Sequence, residues 1–214
     1  MANTTFDQLP QITNRAPIFF DQKRFVEDLK KRNPIHVFKD ALSAAKNHFD
    51  NRFLEGEDAR SLVTEASQFA DVLLWHAWNQ YEWDDEICLI AVGGYGRGEM
   101  APFSDVDLLF LTPYKLTPWA ESLIESMLYM LWDLKLKVGH SSRTVKDCLR
   151  LGKEDYTIRT AMLENRRICG DEALGNELNT RLWTDLFSGS ERDFIEAKLR
   201  SEEHTSELQS PDHL

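Results

Sequence analysis

"AVGGYGRGEMAPFSDVDLLFLTP", residues 91–113, decides how this chain folds. It places four glycines within six positions, Gly93, Gly94, Gly96 and Gly98, directly after the apolar run "ICLIAV" at 87–92. Two aspartates one residue apart, Asp105 and Asp107, then open a second apolar run, "VDLLFLT" at 106–112. Both runs are short, β-rich and bounded by glycine or proline, so each predicts a buried strand. Only the glycines and "EMAPFS" separate them, which leaves room for a short helix or a loop.

Side chains alternate along a strand, so Asp105 and Asp107 are expected on one face while Val106 and Leu108 turn to the core. Two carboxylates that close repel and push one pKa upward unless a cation neutralises them, and a hard ion such as Mg²⁺ takes such oxygen ligands. Taken alone, an Asp-x-Asp is more often a solvated strand end with an Asx turn at Ser104-Asp105. The glycines are equally two-sided. They make a flexible turn, or a loop whose bare backbone N–H groups approach a phosphate chain. No Gly-Lys-Ser/Thr follows, which excludes a P-loop, and no long helix follows, which disfavours a dinucleotide fingerprint.

Outward from this stretch, residues 1–20 read as a polar, flexible lead-in and 21–79 as a helical segment, with Val37, Ala41, Ala45 and Phe49 recurring on one face. Thr117-Pro118 is a helix start, and Leu123, Ile124, Met127, Leu128, Leu131 and Leu134 make its apolar face. The leucine, methionine and tryptophan stripe over 119–136 is expected to be core, and Gly139 to end that helix. "HSSRTV" at 140–145 is a candidate third strand, and "DYTIRTAMLENRRI" at 155–168 reads as another helix. Strands and helices mix without a regular βαβ repeat, so the expected class is α+β around a small mixed sheet.

With 36 acids against 25 bases and a net charge of −11, the chain is unsuited to a general nucleic-acid or anionic-membrane surface. Cys88, Cys148 and Cys169 have neither zinc-site spacing nor an even count, and are expected to be free thiols in a reducing cytoplasm. No targeting leader or membrane-length apolar run is present in the sequence, so a soluble, cytoplasmic protein is expected.

Strand, Gly-Gly, eleven residues from Gly94 to Asp105, then Asp-x-Asp on a second strand: this order resembles the polymerase-beta-like nucleotidyltransferase superfamily. More narrowly, "VGGYGRGEMAPFSDVDLLFL", with "VGHSSRT" and "LENRRICGD" after it, resembles the bacterial bifunctional uridylyltransferase/uridylyl-removing enzymes of nitrogen regulation, over about residues 60–200. The resemblance implies a nucleotidyltransferase domain over 80–185, with Asp105 and Asp107 holding two Mg²⁺ ions and Gly93 and Gly94 receiving the triphosphate of UTP. A tyrosine of the PII signalling protein would then take the uridylyl group, and pyrophosphate would leave. Arg97 would neutralise phosphate charge or be a surface arginine, and Ser104 would cap the Asp105 turn or touch a phosphate. The superfamily's third acid is matched loosely. Glu164 is the first candidate, with Arg166 beside it, and a helix-face ion pair is the alternative. His140 and Arg143 fall in a matching stretch, where a hydrogen-bonded structural role for His140 is favoured.

Two other functions remain open at this stage: a nucleotidyltransferase of different specificity, such as adenylyl transfer, and a non-catalytic nucleotide-sensing module. The family resemblance also implies a hydrolase domain with a His-Asp dyad and paired ACT domains, and neither is expected here, since no His-Asp dipeptide occurs in the sequence. Residues 186–200 read as the start of a truncated helical region. The run "RSEEHTSELQSP" looks like the translation of a sequencing adapter joined to a truncated reading frame, so 201–214 is expected to be a non-native tail.

Overall fold

The computed structural model describes residues 16–83, 86–101 and 104–188. The expectations for residues 1–15, for the helical continuation past 188 and for the tail at 201–214 lie outside these residues. Three helices come first: α1 (Gln22–Lys31), α2 (Pro34–Leu54) and α3 (Ala59–Trp78). Each starts on a side chain able to accept an orphan backbone N–H, Asp21 from Arg24, Asn33 from Ile35 and Asp58 from Ser61. Ahead of them, Phe19 stacks on His48 and Phe20 packs edge-on against Phe69, so the end of the lead-in is pinned to the helices.

Four strands follow, β1 (Cys88–Ala91), β2 (Val106–Thr112), β3 (Val138–Thr144) and β4 (Arg166–Gly170), in spatial order β3-β2-β1-β4. β1 is antiparallel to both β2 and β4, while β2 and β3 run parallel. The mixed sheet and the α+β class agree with the sequence expectation. Between β1 and β2 lies one helical turn, α4 (Gly93–Gly96), and the parallel pair is joined through α5 (Pro118–Asp133), capped by Thr117 as expected. α6 (Val145–Glu154) and α7 (Tyr156–Leu163) carry the chain to β4, and α8 (Glu172–Arg181) leads into a π-helical turn, Leu182–Phe187.

Alternation on the central strands builds two cores. Leu89, Leu108 and Phe110 face α2, α3 and α5, with Phe38, Leu73 and Met127 among the residues opposite. Cys88, Ile90, Leu109 and Leu111 face α6, α8 and the π-helical turn, through Cys148, Leu178 and Phe187. All three cysteines are buried free thiols. Burying both faces explains why β1 and β2 read as continuous apolar runs.

Three expectations need correction. The helix expected over 155–168 stops at Leu163, and Arg166–Gly170 is a strand, because Ile168 and Cys169 are buried and the backbone there pairs with β1. Tertiary pairing overrides a sequence with good helical propensity. Gly139 does not end α5. That helix closes earlier, with Lys135 left-handed at φ 62° and the Leu136 and Lys135 N–H groups bonding back to Leu131 and Trp132. In the stripe over 119–136, Trp119 and Trp132 are exposed, since a helix lying on a sheet has one buried face only.

On α3, His76 is buried among Phe25 and Trp75, and its Nε2 lies 3.2 Å from Gln22 Nε2. Burial lowers its pKa to about 4, so the native protein holds it neutral. The unfolded chain takes up a proton near pH 6.5 that the native state refuses, so stability is complete above that pH and falls as pH drops toward 4. Urea denaturation should therefore show about 2 kcal/mol less stability at pH 5 than at pH 7 from this group. His76→Leu should lose that increment while keeping the remainder of the pH dependence.

Candidate active site

The site is built where β1 gives out. After Ala91 the chain makes the turn Gly93–Gly96, and the Val92 N–H donates to the carbonyl of Asp107, 3.1 Å away, which ties the turn's entry to β2. Gly93 has φ +61°, a conformation glycine adopts without penalty. Helical geometry leaves the first N–H groups of the turn without partners inside it. Gly96 is confined: a Cβ there would stand 1.6 Å from the carbonyl oxygen of Glu164.

Asp107 is the second residue of β2 and half-buried, and Asp105 is exposed just before the strand. The Asp107 carboxylate sits over two glycines. A methyl on Gly139, its cross-strand partner on β3, would lie 2.3 Å from Asp107 Oδ1, and one on Gly93 would lie 3.5 Å from Oδ2. Burial, and then the charge of Asp105, raise the Asp107 pKa above the usual carboxylate range. Among the described residues neither side chain has a hydrogen bond or an ion pair. Asp105 precedes β2 rather than lying in it, so the alternation expected to group the two aspartates does not extend to it.

This uncompensated pair of hard oxygen donors, beside glycines that keep the space clear, fits a divalent cation such as Mg²⁺. Among the described residues no group of three or more His, Cys, Asp or Glu side chains is gathered to hold one. Glu164, the expected third acid, caps the end of α7, and its carboxylate accepts a hydrogen bond from Arg97 Nη1. Arg97 also pairs with Glu99 at 3.5 Å and folds back over Gly94, so it stands at the rim of the turn between two acids. Ser104 does not cap the Asp105 turn; its hydroxyl donates to the Ala101 carbonyl at 2.7 Å. His140 is exposed, with its ring edge-on to Trp132, and Arg143 is half-buried at the far end of β3.

Arg166 is not the helix-face partner of Glu164. From β4 it reaches Asp71 on α3, and it donates to the carbonyls of Tyr95 at 3.1 Å and Gly96 at 3.3 Å. The Tyr95 hydroxyl donates to the other oxygen of Asp71 at 2.7 Å. Asp71, Tyr95 and Gly139 are neighbours of the site that sequence reading missed. A charged residue inside the apolar face "FADVLL" of α3 was the available signal for Asp71. A cavity of about 670 Å³ lined by Phe49, Leu62, Phe69, Ser104 and Val106 opens on the face of β2 opposite Asp107.

No family model matches the chain. Curated relatives do. The bifunctional uridylyltransferase/uridylyl-removing enzyme of Cereibacter sphaeroides is 64% identical over 138 residues, 64% of this chain and 15% of the relative. That of Ruegeria pomeroyi is 69% identical over 115 residues, 54% of this chain and 13% of the relative. That of Caulobacter vibrioides is 46% identical over 182 residues, 80% of this chain and 19% of the relative.

Over these stretches the chain is similar to bifunctional uridylyltransferase/uridylyl-removing enzymes.

It spans less than a fifth of the length of these three. Among solved structures, a toxin–antitoxin MntA-HpeT crystal structure covers 60% of this chain and 98% of its own, at 10% identity and TM-score 0.37.

The two crowded and uncrowded glycines of the loop give a direct test of its geometry. Gly96→Ala should cost about 3 kcal/mol or more in chemical denaturation, because the new methyl meets backbone rather than a movable side chain. Gly98, at φ +78° with nothing within 4 Å of a Cβ, should cost only about 1–2 kcal/mol of backbone strain as Gly98→Ala.

Proposed function

We propose that the chain is a Mg²⁺-dependent nucleotidyltransferase module that moves a uridylyl group from UTP to a tyrosine of a PII-type signalling protein and releases pyrophosphate. The observation that carries this reading is the carboxylate pair Asp105–Asp107, coupled in charge, without a protein cation, and set against the glycine turn. The name of relatives at 64% and 69% identity supports the uridylyl group, and the acceptor is what the resemblance of the sequence motifs implies.

In this reading Asp105 and Asp107 hold the metal, and the backbone N–H groups of Gly93 and Gly94 receive phosphate oxygens. Bound Mg²⁺ supplies positive charge to the triphosphate and to the entering and leaving oxygens. The tyrosine oxygen forms a bond to the α-phosphorus, the bond to pyrophosphate breaks, and the hydroxyl proton is released. Arg97 stands at the rim of the glycine turn, where exchange of Glu164 or Glu99 for a phosphate oxygen brings its charge to the nucleotide. Gly139 keeps the Asp107 carboxylate in place by offering it room that any side chain would fill.

One observation favours a second reading, a module that binds nucleotide without turning it over: Glu164 is engaged with Arg97, and no third carboxylate joins the pair among the described residues. Thermal unfolding with Mg²⁺ and UTP, followed by a pyrophosphate-release assay with PII protein, separates the two. The proposal expects UTP to raise the melting temperature only when Mg²⁺ is present, and pyrophosphate to appear. Asp107→Asn should cut release by about a hundredfold or more. In metal-free buffer the same variant should be at least as stable as the parent, since it removes a like-charge repulsion. Binding without release would favour the second reading, and no Mg²⁺-dependent shift would overturn both.

A further inference from the structure

Four residues make up the turn Gly93–Gly96, and three of them are glycines. Such a turn has almost no side-chain packing to hold it, and the residue before it, Val92, offers no side-chain cap. Its backbone is also intrinsically loose, because glycine gives up more conformational freedom on folding than any other residue. Yet the turn must stay beside the Asp107 carboxylate if one ligand is to meet both. The one side chain that anchors it is Tyr95, which is 2% exposed.

Tyr95 does not point to the strands of its own unit for its hydrogen bond. Its hydroxyl donates to Asp71 Oδ1, on the fourth turn of α3, a helix that precedes the sheet by sequence and packs on its first face. The second Asp71 oxygen accepts from Arg166 Nη1, and the same guanidinium donates to the carbonyls of Tyr95 and Gly96, the last two of the turn. Arg166 also lies over the Tyr95 ring at 5.4 Å. The carbonyl end of the turn, which in any helix lacks internal partners, is therefore closed by a cation, and that cation is held in place by Asp71. Asp71 is 7% exposed, so its two oxygens have little access to water in place of these partners.

We propose that Asp71 is a positioning residue: by binding the Tyr95 hydroxyl with one oxygen and the Arg166 guanidinium with the other, it sets where the turn Gly93–Gly96 stands relative to Asp107. The helical segment over 21–79 is then part of the nucleotide site rather than an appendage to it. The value of this position for UTP rests on the function proposed above; the mechanical link from Asp71 to the turn does not.

The test uses the 214-residue chain and three variants. Asp71→Asn keeps the shape and removes the charge facing Arg166, and Tyr95→Phe removes only the hydroxyl. Leu178→Ala, in the second core and away from the turn, serves as a variant of general stability loss. Hydrogen–deuterium exchange is read at peptides covering 93–98, well below the melting temperature of each protein. Asp71→Asn and Tyr95→Phe should speed exchange there at least tenfold relative to peptides of α5 and α8, while Leu178→Ala should not do so selectively. With Mg²⁺ and UTP, both site variants should raise the KM for UTP about tenfold and change kcat less than threefold, and Leu178→Ala should leave KM unchanged. Unaltered exchange at 93–98 in both site variants overturns the proposal, whatever the nucleotide does. Accelerated exchange with an unchanged KM also overturns it, since Asp71 would then be structural only. Accelerated exchange in a protein whose parent form binds no UTP confirms the link from Asp71 to the turn and overturns the function instead.

Discussion

The ion pair between buried Asp71 and half-buried Arg166 is the constraint on which the arrangement around the glycine turn depends. A guanidinium that is largely removed from water must have its donors satisfied, and Arg166 finds Asp71, the Tyr95 carbonyl and the Gly96 carbonyl. Burial works against its charge, but Asp71 and Tyr95 outweigh that cost and hold its pKa above the ordinary value. Burial and the neighbouring Asp71 charge push the Tyr95 phenol well upward, so it remains a donor. Three elements far apart in sequence, α3, the turn and β4, are joined at one point. Removing any partner strands a buried charge or dipole, which costs more than the pair contributes when intact.

The charges near the turn fall into two groups. Arg166 and Asp71 are matched to each other, and Arg97 is matched to Glu99 and Glu164 at the rim. Asp105 and Asp107 have no such match among the described residues, and Asp107 is left with a raised pKa. A folded protein tolerates two adjacent, unmatched carboxylates where something outside the chain supplies the missing charge, which is why this pair is the candidate for cation and phosphate chemistry. The sheet fixes the pair's surroundings. Antiparallel pairing of β1 with β2 returns the chain so that Gly93 lies beside Asp107, and parallel pairing with β3 brings Gly139 against the same carboxylate from the other side.

Much of the site was legible in the sequence because its signals are local. The two strands, the glycine turn and the position of Asp107 on the second strand all follow from spacing within about two dozen residues of one stretch. The cap at Thr117 was equally local, since it acts on an N–H three residues ahead. What failed were assignments that a partner element decides. Residues 166–170 have helical propensity, yet Ile168 is wanted in the core and β1 has an edge to fill, so they extend. Gly139 resembled a helix terminator, although its missing side chain serves Asp107 across the sheet.

The sequence by itself determined the α+β class, the order strand–glycine turn–Asp-x-Asp, and the acidic pair as the place where charge is in excess. Those features depend on residues close in the chain, whose geometry follows from bond lengths and the two-residue repeat of a strand. Only the tertiary structure decided that Arg166 serves Asp71 rather than Glu164, that Tyr95 anchors the turn to α3, and that Glu164 stands opposite Arg97. Such pairings join positions as many as 95 residues apart. Nothing in local spacing selects among the chain's 25 basic residues and 36 acids, so the packing of helices on the sheet has to bring one pair together and keep water from separating it.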